Sequence, residues 1–243
     1  MSYQASSSLV TVAEDAELRL VKLLAESGSV GSSFVQDCEA CISNGDAAQL
    51  MKTILSESGA ISSLVSLGDE AVSAVALLAA LLDRAKTSDS SQSVTLLADS
   101  LVKASTNADT ATKVISLLAT LYNMRSEPLE KVNLIIKMIR LAASKQPSLL
   151  EPQVSVLGKF MDASRLPALL DDWKVQPSSR RELYLAAAEG APTPLSKQQF
   201  TLLVVETYTT SVRESQCFIR NLYPFLSNLT FLFPFTRMLM PPD

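Results

Sequence analysis

An all-α fold is the first prediction from this sequence, and within that class an irregular α-solenoid of stacked antiparallel helical hairpins. The chain has 243 residues, of which only 7 are glycine and 11 are proline, whereas β-rich folds need turn residues at short, regular intervals. Apolar residues recur with helical spacing along most of the chain. The predicted helices begin near residues 69, 91, 109 and 127, so hairpins repeat about every 40 residues, a period typical of stacked helical repeats.

The predicted helical-repeat domain covers residues 9–211. Its helices are expected over residues 12–26, 32–43, 46–57, 69–86, 91–105, 109–124, 127–144, 148–161, 165–174, 178–189 and 194–211. The helix over 69–86, with Asp69 as its expected N-cap, is apolar nearly all round. A helix of this kind is normally enclosed by neighbouring helices.

Two central helices have the clearest amphipathic patterns. The first, over 109–124, is expected to begin with Asp109 as its N-cap and to bury Val114, Leu117, Leu118, Leu121 and Met124. The second, over 127–144, is expected to begin with Ser126 as its N-cap and Pro128 in its first turn. It is predicted to be half-buried, with a solvated stripe made of Glu130, Asn133, Lys137, Arg140 and Ser144.

The composition argues against an enzyme and predicts no catalytic, cofactor-binding or metal site. The chain contains no histidine, which excludes histidine-based catalytic triads, histidine metal ligands and imidazole pH switches. Neither of the glycine-rich phosphate-binding motifs occurs. The net charge of −4 provides no basic field for nucleic acid. An odd number of cysteines, no signal peptide and no long apolar stretch predict a cytoplasmic protein that does not span a membrane.

Cys38 and Cys41 form a C-x-x-C pair within a helix-like stretch. A zinc site needs four ligands, and the third cysteine, Cys217, lies far away in the sequence. We therefore expect the two thiols to pack as small apolar groups on one helix face. The alternative is a redox-sensitive pair.

Ser100 and Lys103 match the short S-x-x-K pattern of one class of hydrolases. The two motifs that accompany this pattern in that class, S-D-N and K-T-G, are missing. A solvated helix face is therefore the favoured interpretation, and a serine–lysine hydrolase is the alternative.

The single tryptophan, Trp173, and two pairs of charged residues near it are further candidates for functional residues. Asp171 and Asp172 are adjacent, so on a helix their carboxylates point about 100° apart and do not share a proton; a surface or capping role is expected. Arg180 and Arg181 supply isolated positive charge that could contact RNA locally. Trp173 is expected to pack in the core, and an interface anchor is the alternative.

Residues 212–243 form an anomalous hydrophobic tail that we expect not to be part of the fold. Its last 27 residues contain five of the eight phenylalanines and four of the eleven prolines. Pro224 and Pro234 interrupt the apolar stretch and are expected to break a continuous helix. As a membrane anchor the stretch is too short, too broken and too polar.

Several segments between residues 113 and 188 resemble the M-subunit family of eukaryotic translation initiation factor 3, a family of PCI-domain proteins. The similar segments, in order, are KVISLLATLYNM (113–124), the following helix with its AAS end, DDWKV (171–175) and SSRRELYLAAAE (178–189). The resemblance covers about 75 residues, and it rests on the order and spacing of the segments together.

The resemblance implies a non-catalytic scaffold subunit, in which a helical-repeat arm leads into a winged-helix module. Such a subunit binds the other subunits of a large complex and reaches the small ribosomal subunit indirectly, with no small-molecule substrate. The chain leaves the resemblance near residue 211, so no complete winged helix is expected. The alternative is a PCI-type subunit of the proteasome lid or of the signalosome, which share this architecture.

Overall fold

The computed structural model describes residues 4–26, 29–85, 90–150 and 156–226, and within these residues it contains helices and no strand. The α-helices are α1 (Gln4–Glu26), α2 (Phe34–Ser43), α3 (Ala47–Ser56), α4 (Ser58–Ser66), α5 (Ala71–Arg84), α6 (Ser90–Ala104), α7 (Ala108–Met124), α8 (Pro128–Lys145), α9 (Leu166–Asp172), α10 (Pro177–Gly190) and α11 (Pro194–Leu226). Short 3₁₀ helices occupy Gly68–Glu70, Pro147–Leu150 and Val156–Met161. The predicted all-α class is confirmed.

The helices pack as a stack, each touching helices close to it in sequence. Helix α7 packs on α8, and α10 packs on both α8 and α11. Helices two positions apart in the chain are also in contact, and these contacts join successive layers of the stack. The pairs are α4 with α6, α5 with α7 and α6 with α8. One continuous apolar core runs through the stack from Leu20 to Phe200. This is the arrangement of an irregular α-solenoid, in which each layer buries its apolar face against the next.

Helix α4 is the main element that the sequence pattern did not reveal. It lies between the predicted helices 46–57 and 69–86, and it buries Ile61, Leu64 and Val65. Gly68, with a φ of +59°, then turns the chain into the 3₁₀ helix that contains Asp69. The predicted N-cap role of Asp69 is therefore wrong, because α5 begins two residues later, at Ala71, without a side-chain cap.

The predicted caps of the two central helices are also wrong. Asn107, not Asp109, caps α7: its side chain accepts from the amide of Thr110, whose hydroxyl in turn accepts from the amide of Asn107. This reciprocal pair satisfies two free amides at the start of the helix. Helix α8 begins at Pro128, as expected, but Glu127 occupies the N-cap position without a side-chain hydrogen bond.

Burial differs from expectation at two positions of these helices. Met124, predicted to be in the core, is the last residue of α7 and is 44% exposed. Glu130, predicted in the solvated stripe of α8, is only 2% exposed. Nine of the eighteen residues of α8 are buried against α6, α7 and α10, so the helix is half-buried as predicted, with Glu130 on the buried side.

The later part of the chain differs from expectation in how its helices end. The helix predicted over 148–161 is instead a pair of 3₁₀ segments, and residues 151–155 between them lie outside the described residues. Helix α11 continues past the predicted end at residue 211, through Pro224, to Leu226. The expected boundary between domain and tail therefore falls inside a helix. Pro234 and the rest of residues 227–243 lie outside the described residues.

Candidate interaction surface

The last helix, α11, presents an apolar surface to solvent. Its inner side packs on α10 through Phe200, which is fully buried, and through the half-buried Leu203 and Val204. Five large apolar side chains outside this contact are between 37% and 66% exposed: Leu195, Leu202, Val205, Tyr208 and Val212. We call these five residues the outer face of α11. Contiguous exposed apolar surface of this kind marks sites where proteins associate.

Ser100 and Lys103 lie together on an open cleft of about 430 Å³ between α3 and α6. The cleft walls include Met51, Leu55 and Leu96, and a second lysine, Lys52, joins Lys103 at its edge. Sequence spacing could not reveal Lys52, because it reaches the cleft from another helix.

The contacts and exposure of Ser100 and Lys103 bear on the serine–lysine alternative. Within the described part of the chain, no hydrogen bond joins the Ser100 hydroxyl to the Lys103 ammonium group. Lys103 is also exposed, whereas a lysine that acts as a base is normally desolvated. The contacts thus favour the interpretation of this pair as part of a solvated helix face.

Cys38 and Cys41 are both buried free thiols on one side of α2. Burial, together with the neighbouring Cys41, raises the pKa of the Cys38 thiol to about 12. A thiol in this state is a poor nucleophile and a poor metal ligand at neutral pH. Among the described residues, no group of acidic and cysteine side chains could hold a metal ion. The expected packing role of the two thiols is confirmed.

Trp173 belongs to an aromatic cluster at the end of α9. Its ring centroid lies 6.3 Å from that of Phe160, and Phe160 lies edge-on to Tyr122 at 6.2 Å. The ammonium group of Lys159 lies over the rings of Phe160 and Tyr122, at 4.9 and 5.3 Å from their centroids. Trp173 is partly buried and packs against the core, as predicted. Its role as an interface anchor stays a prediction.

Asp171 and Arg180 form an ion pair that joins α9 to α10. Arg180 also donates from Nε to the carbonyl oxygen of Val175 at 2.7 Å and from Nη2 to that of Leu170 at 3.2 Å. Leu170 lies in the last turn of α9, and Val175 lies in the loop between α9 and α10. Arg180 is therefore engaged in holding the two helices together.

Arg125 lies in a buried charge cluster that the sequence analysis missed. Its Nε donates to Glu130 Oε2 at 2.8 Å, and its Nη2 donates to Asp83 Oδ1 at 2.9 Å. Burial alone would lower the pKa of Arg125, but the hydrogen bonds and charges of Glu130 and Asp83 outweigh it and raise that pKa. The cluster ties the junction of α7 and α8 to α5. A sequence signal was absent, because Asp83 lies 42 positions before Arg125.

The described residues define an all-α protein of stacked helices whose apolar outer face on α11 is open to solvent. Among them, no single helix is both long enough and apolar enough to cross a bilayer. The helical segments Ser58–Ser66 and Gly68–Arg84 meet this criterion of length and composition only when taken together, and they form a pair bent by 109°. Comparison with protein-family models, with curated proteins and with solved structures gave no match to this chain.

Proposed function

We propose that this protein is a non-catalytic scaffold subunit of eukaryotic translation initiation factor 3, which supports assembly of that complex on the small ribosomal subunit in the cytoplasm. The observation that carries the proposal is the place of the resembling segments in the fold. KVISLLATLYNM occupies α7, the following segment occupies α8, and SSRRELYLAAAE lies within α10. Helix α8 packs on both α7 and α10, so the three segments belong to one packed part of the stack.

The packing of these three helices supports a structural role for the resembling segments. The apolar residues of the first segment, Val114, Leu117, Leu118 and Leu121, are enclosed in the core. In the last segment, Leu183, Tyr184 and Ala187 are enclosed as well. A scaffold of this kind needs a rigid stack that presents surfaces to neighbours, and it needs no reactive group.

Sedimentation tests this proposal directly. A tagged full-length chain, expressed in eukaryotic cells, should migrate with the small ribosomal subunit in a sucrose gradient at low salt. Chelation of Mg²⁺, which separates the two ribosomal subunits, should leave the chain in the small-subunit fractions. Migration only at the top of the gradient under both conditions would contradict the proposal.

The second candidate is a PCI-type subunit of the proteasome lid or of the signalosome. It is favoured by the same stack of helices, since the architecture is shared among PCI proteins. Under this alternative the chain would migrate with a large complex that does not move with ribosomal subunits. The gradient therefore separates the two candidates.

A further inference from the structure

The cleft between α3 and α6 is a short groove whose walls come from two helices. Its lining residues on each helix are spaced by three or four positions, so each helix contributes one face. The walls run from Ala48 to Leu55 on α3 and from Leu96 to Lys103 on α6. Each wall is about 10 Å long, given the rise per residue of an α-helix. The groove therefore has the length of two helical turns.

The apolar part of this cleft is open to solvent. Leu96 is 50% exposed, whereas Leu97 and Leu101 of the same helix are fully buried in the core. Leu55 of α3 is half-buried. A single exposed leucine is common on protein surfaces, but Leu96 lies in a concave site beside other apolar side chains. Concave apolar sites accept the anchoring side chains of a binding partner.

Two ammonium groups lie at the edge of the cleft and have no acidic partner among the described residues. Lys52 reaches the cleft from α3 and Lys103 reaches it from α6, and both side chains are exposed. The carboxylates nearest to them in sequence are engaged elsewhere, since Glu57 caps α4 and Asp99 pairs with Lys137. Within the described part of the chain, both walls of the cleft therefore carry positive charge that is not compensated.

The ways in which proteins bind peptides leave one mode that fits this cleft. Addition of a strand needs a free strand edge, and the described residues contain no strand. Proline-rich peptides need a groove lined by aromatic rings, and none of the described residues that line the cleft is aromatic. The same lack of rings disfavours single-stranded nucleic acid, whose bases stack on them. A helix laid in the groove, with anchors spaced by three or four residues, is the mode that remains.

We propose that the cleft binds an amphipathic helix of a partner protein, in which acidic residues flank a stripe of leucine-type side chains. The stripe packs on Leu55 and Leu96. A carboxylate on one side of it pairs with Lys52, and a carboxylate on the other side pairs with Lys103. Charge complementarity points to another protein, because residues 227–243, the longest part of this chain outside the described residues, contain a single acidic residue. The inference goes beyond the scaffold function and does not require it.

Designed peptides test the proposal on the full-length protein. The probe is a fluorescently labelled peptide of about 16 residues, long enough to form a helix in water, with a stripe of leucines flanked on both sides by glutamates. One control peptide has lysines in place of the glutamates, and another has serines in place of the leucines. Fluorescence anisotropy should show saturable binding of the probe, at least tenfold tighter than binding of either control. Added salt should weaken this binding, because the paired charges are exposed.

Charge reversal in the cleft tests where the probe binds. Lys52→Glu/Lys103→Glu should weaken binding of the probe by about tenfold, because two attractive pairs become repulsive. The control variant Lys174→Glu/Lys197→Glu changes the net charge equally at positions outside α3 and α6, and it should leave the affinity unchanged. All four lysines are exposed, so circular dichroism should show native helix content in both variants.

Two further measurements separate the charged and apolar parts of the contact. The protein with reversed charges in the cleft should prefer the lysine-flanked peptide to the probe, which a general loss of binding would not produce. Leu96→Ser should weaken binding of the probe by about fivefold, because it removes an apolar contact without changing the charge.

Five results would overturn the proposal. They are an absence of saturable binding up to about 1 mM probe; equal binding of the probe and either control peptide; a probe indifferent to the charge reversal; displacement of the probe by equimolar oleate, which would make a small amphiphilic anion the occupant; and a dimer in light scattering that the charge reversal dissociates, which would make a second copy the occupant. Co-sedimentation with small ribosomal subunits is a separate readout, so this proposal and the scaffold function can fail independently.

Discussion

Arg125 is a charged residue enclosed by the apolar core, and it fixes how α7 is joined to α8. Its guanidinium group bonds to Glu130, which is buried, and to Asp83, which is half exposed. The second oxygen of Glu130, Oε1, is buried and has no hydrogen-bond partner within the described residues. Removing Glu130 would leave the buried guanidinium group of Arg125 with only the half-exposed Asp83 as a charged partner, and an incompletely paired buried charge costs more free energy than the intact pair contributes.

We therefore predict that Glu130→Met lowers the free energy of unfolding by about 3 kcal/mol. The matched double variant Arg125→Met/Glu130→Met should recover most of this loss, because both buried charges are then removed together. Urea unfolding followed by circular dichroism measures both effects. A double variant that is less stable than Glu130→Met would show that the cluster stabilises the fold in its own right.

The buried thiol of Cys38 gives a prediction about pH. Since its folded-state pKa is raised to about 12, the thiolate is scarce throughout the ordinary pH range. In a Cys41→Ala/Cys217→Ser background, alkylation of the folded chain should rise about tenfold per pH unit up to pH 9.5 without levelling off. The same chain unfolded in urea should react faster and level off near the ordinary thiol pKa of 9.0. A plateau in the folded chain below pH 9 would contradict the burial of this thiol.

At the scale of elements, the long amphipathic helices were predictable and the polar or short ones were not. Helices α7 and α8 have strong apolar repeats, and their bounds lie within a residue or two of the prediction. Helix α4 escaped prediction because its sequence, SGAISSLVS, has the serine and glycine content of a linker. Its helical state depends on tertiary packing: Ser63 is fully buried and its hydroxyl donates to the carbonyl oxygen of Gly59 at 2.8 Å.

Gly59 makes the packing of α4 testable. A Cβ atom at this position would lie 1.8 Å from the carbonyl oxygen of Ser29, an impossible approach to a backbone atom. Alanine normally stabilises a helix relative to glycine, but here the backbone would have to move. Gly59→Ala should therefore destabilise the protein by about 1 to 3 kcal/mol. The neighbouring Ser58→Ala, at an exposed site of the same turn, should change stability little; equal stability of the two variants in thermal unfolding would refute the close approach.

Long-range contacts explain why the candidate surfaces were harder to predict than the helices. The cleft at Ser100 could not be predicted from the sequence, because Lys52 and Leu55 line it from a helix almost 50 residues earlier in the chain. Glu130 was expected to be solvated because carboxylates normally lie at the surface. Its burial could not be predicted because its partners lie on other elements. The outer face of α11 could not be predicted for another reason. From the sequence alone, its apolar residues could equally have belonged to the core, and only the structure shows that α10 packs on the opposite side of α11.

At the scale of the whole molecule, the described residues form a stack of helices with an exposed apolar face on its last helix. The absence of histidine from the sequence and the small number of glycines are compatible with such a scaffold. The resembling segments form α7, α8 and part of α10, and the outer face of α11 lies beside them at the end of the stack. An assembly subunit would bring its partners to these surfaces.

Affinity purification with quantitative mass spectrometry tests the central claim most directly. The full-length chain, tagged at its N-terminus and expressed in eukaryotic cells, should recover the subunits of initiation factor 3 in near-equal amounts and well above an untagged control. The Glu130→Met variant, destabilised at the junction of α7 and α8, should recover them less efficiently at the same expression level. Recovery of proteasome-lid or signalosome subunits instead, or of no multi-subunit complex at all, would contradict the account.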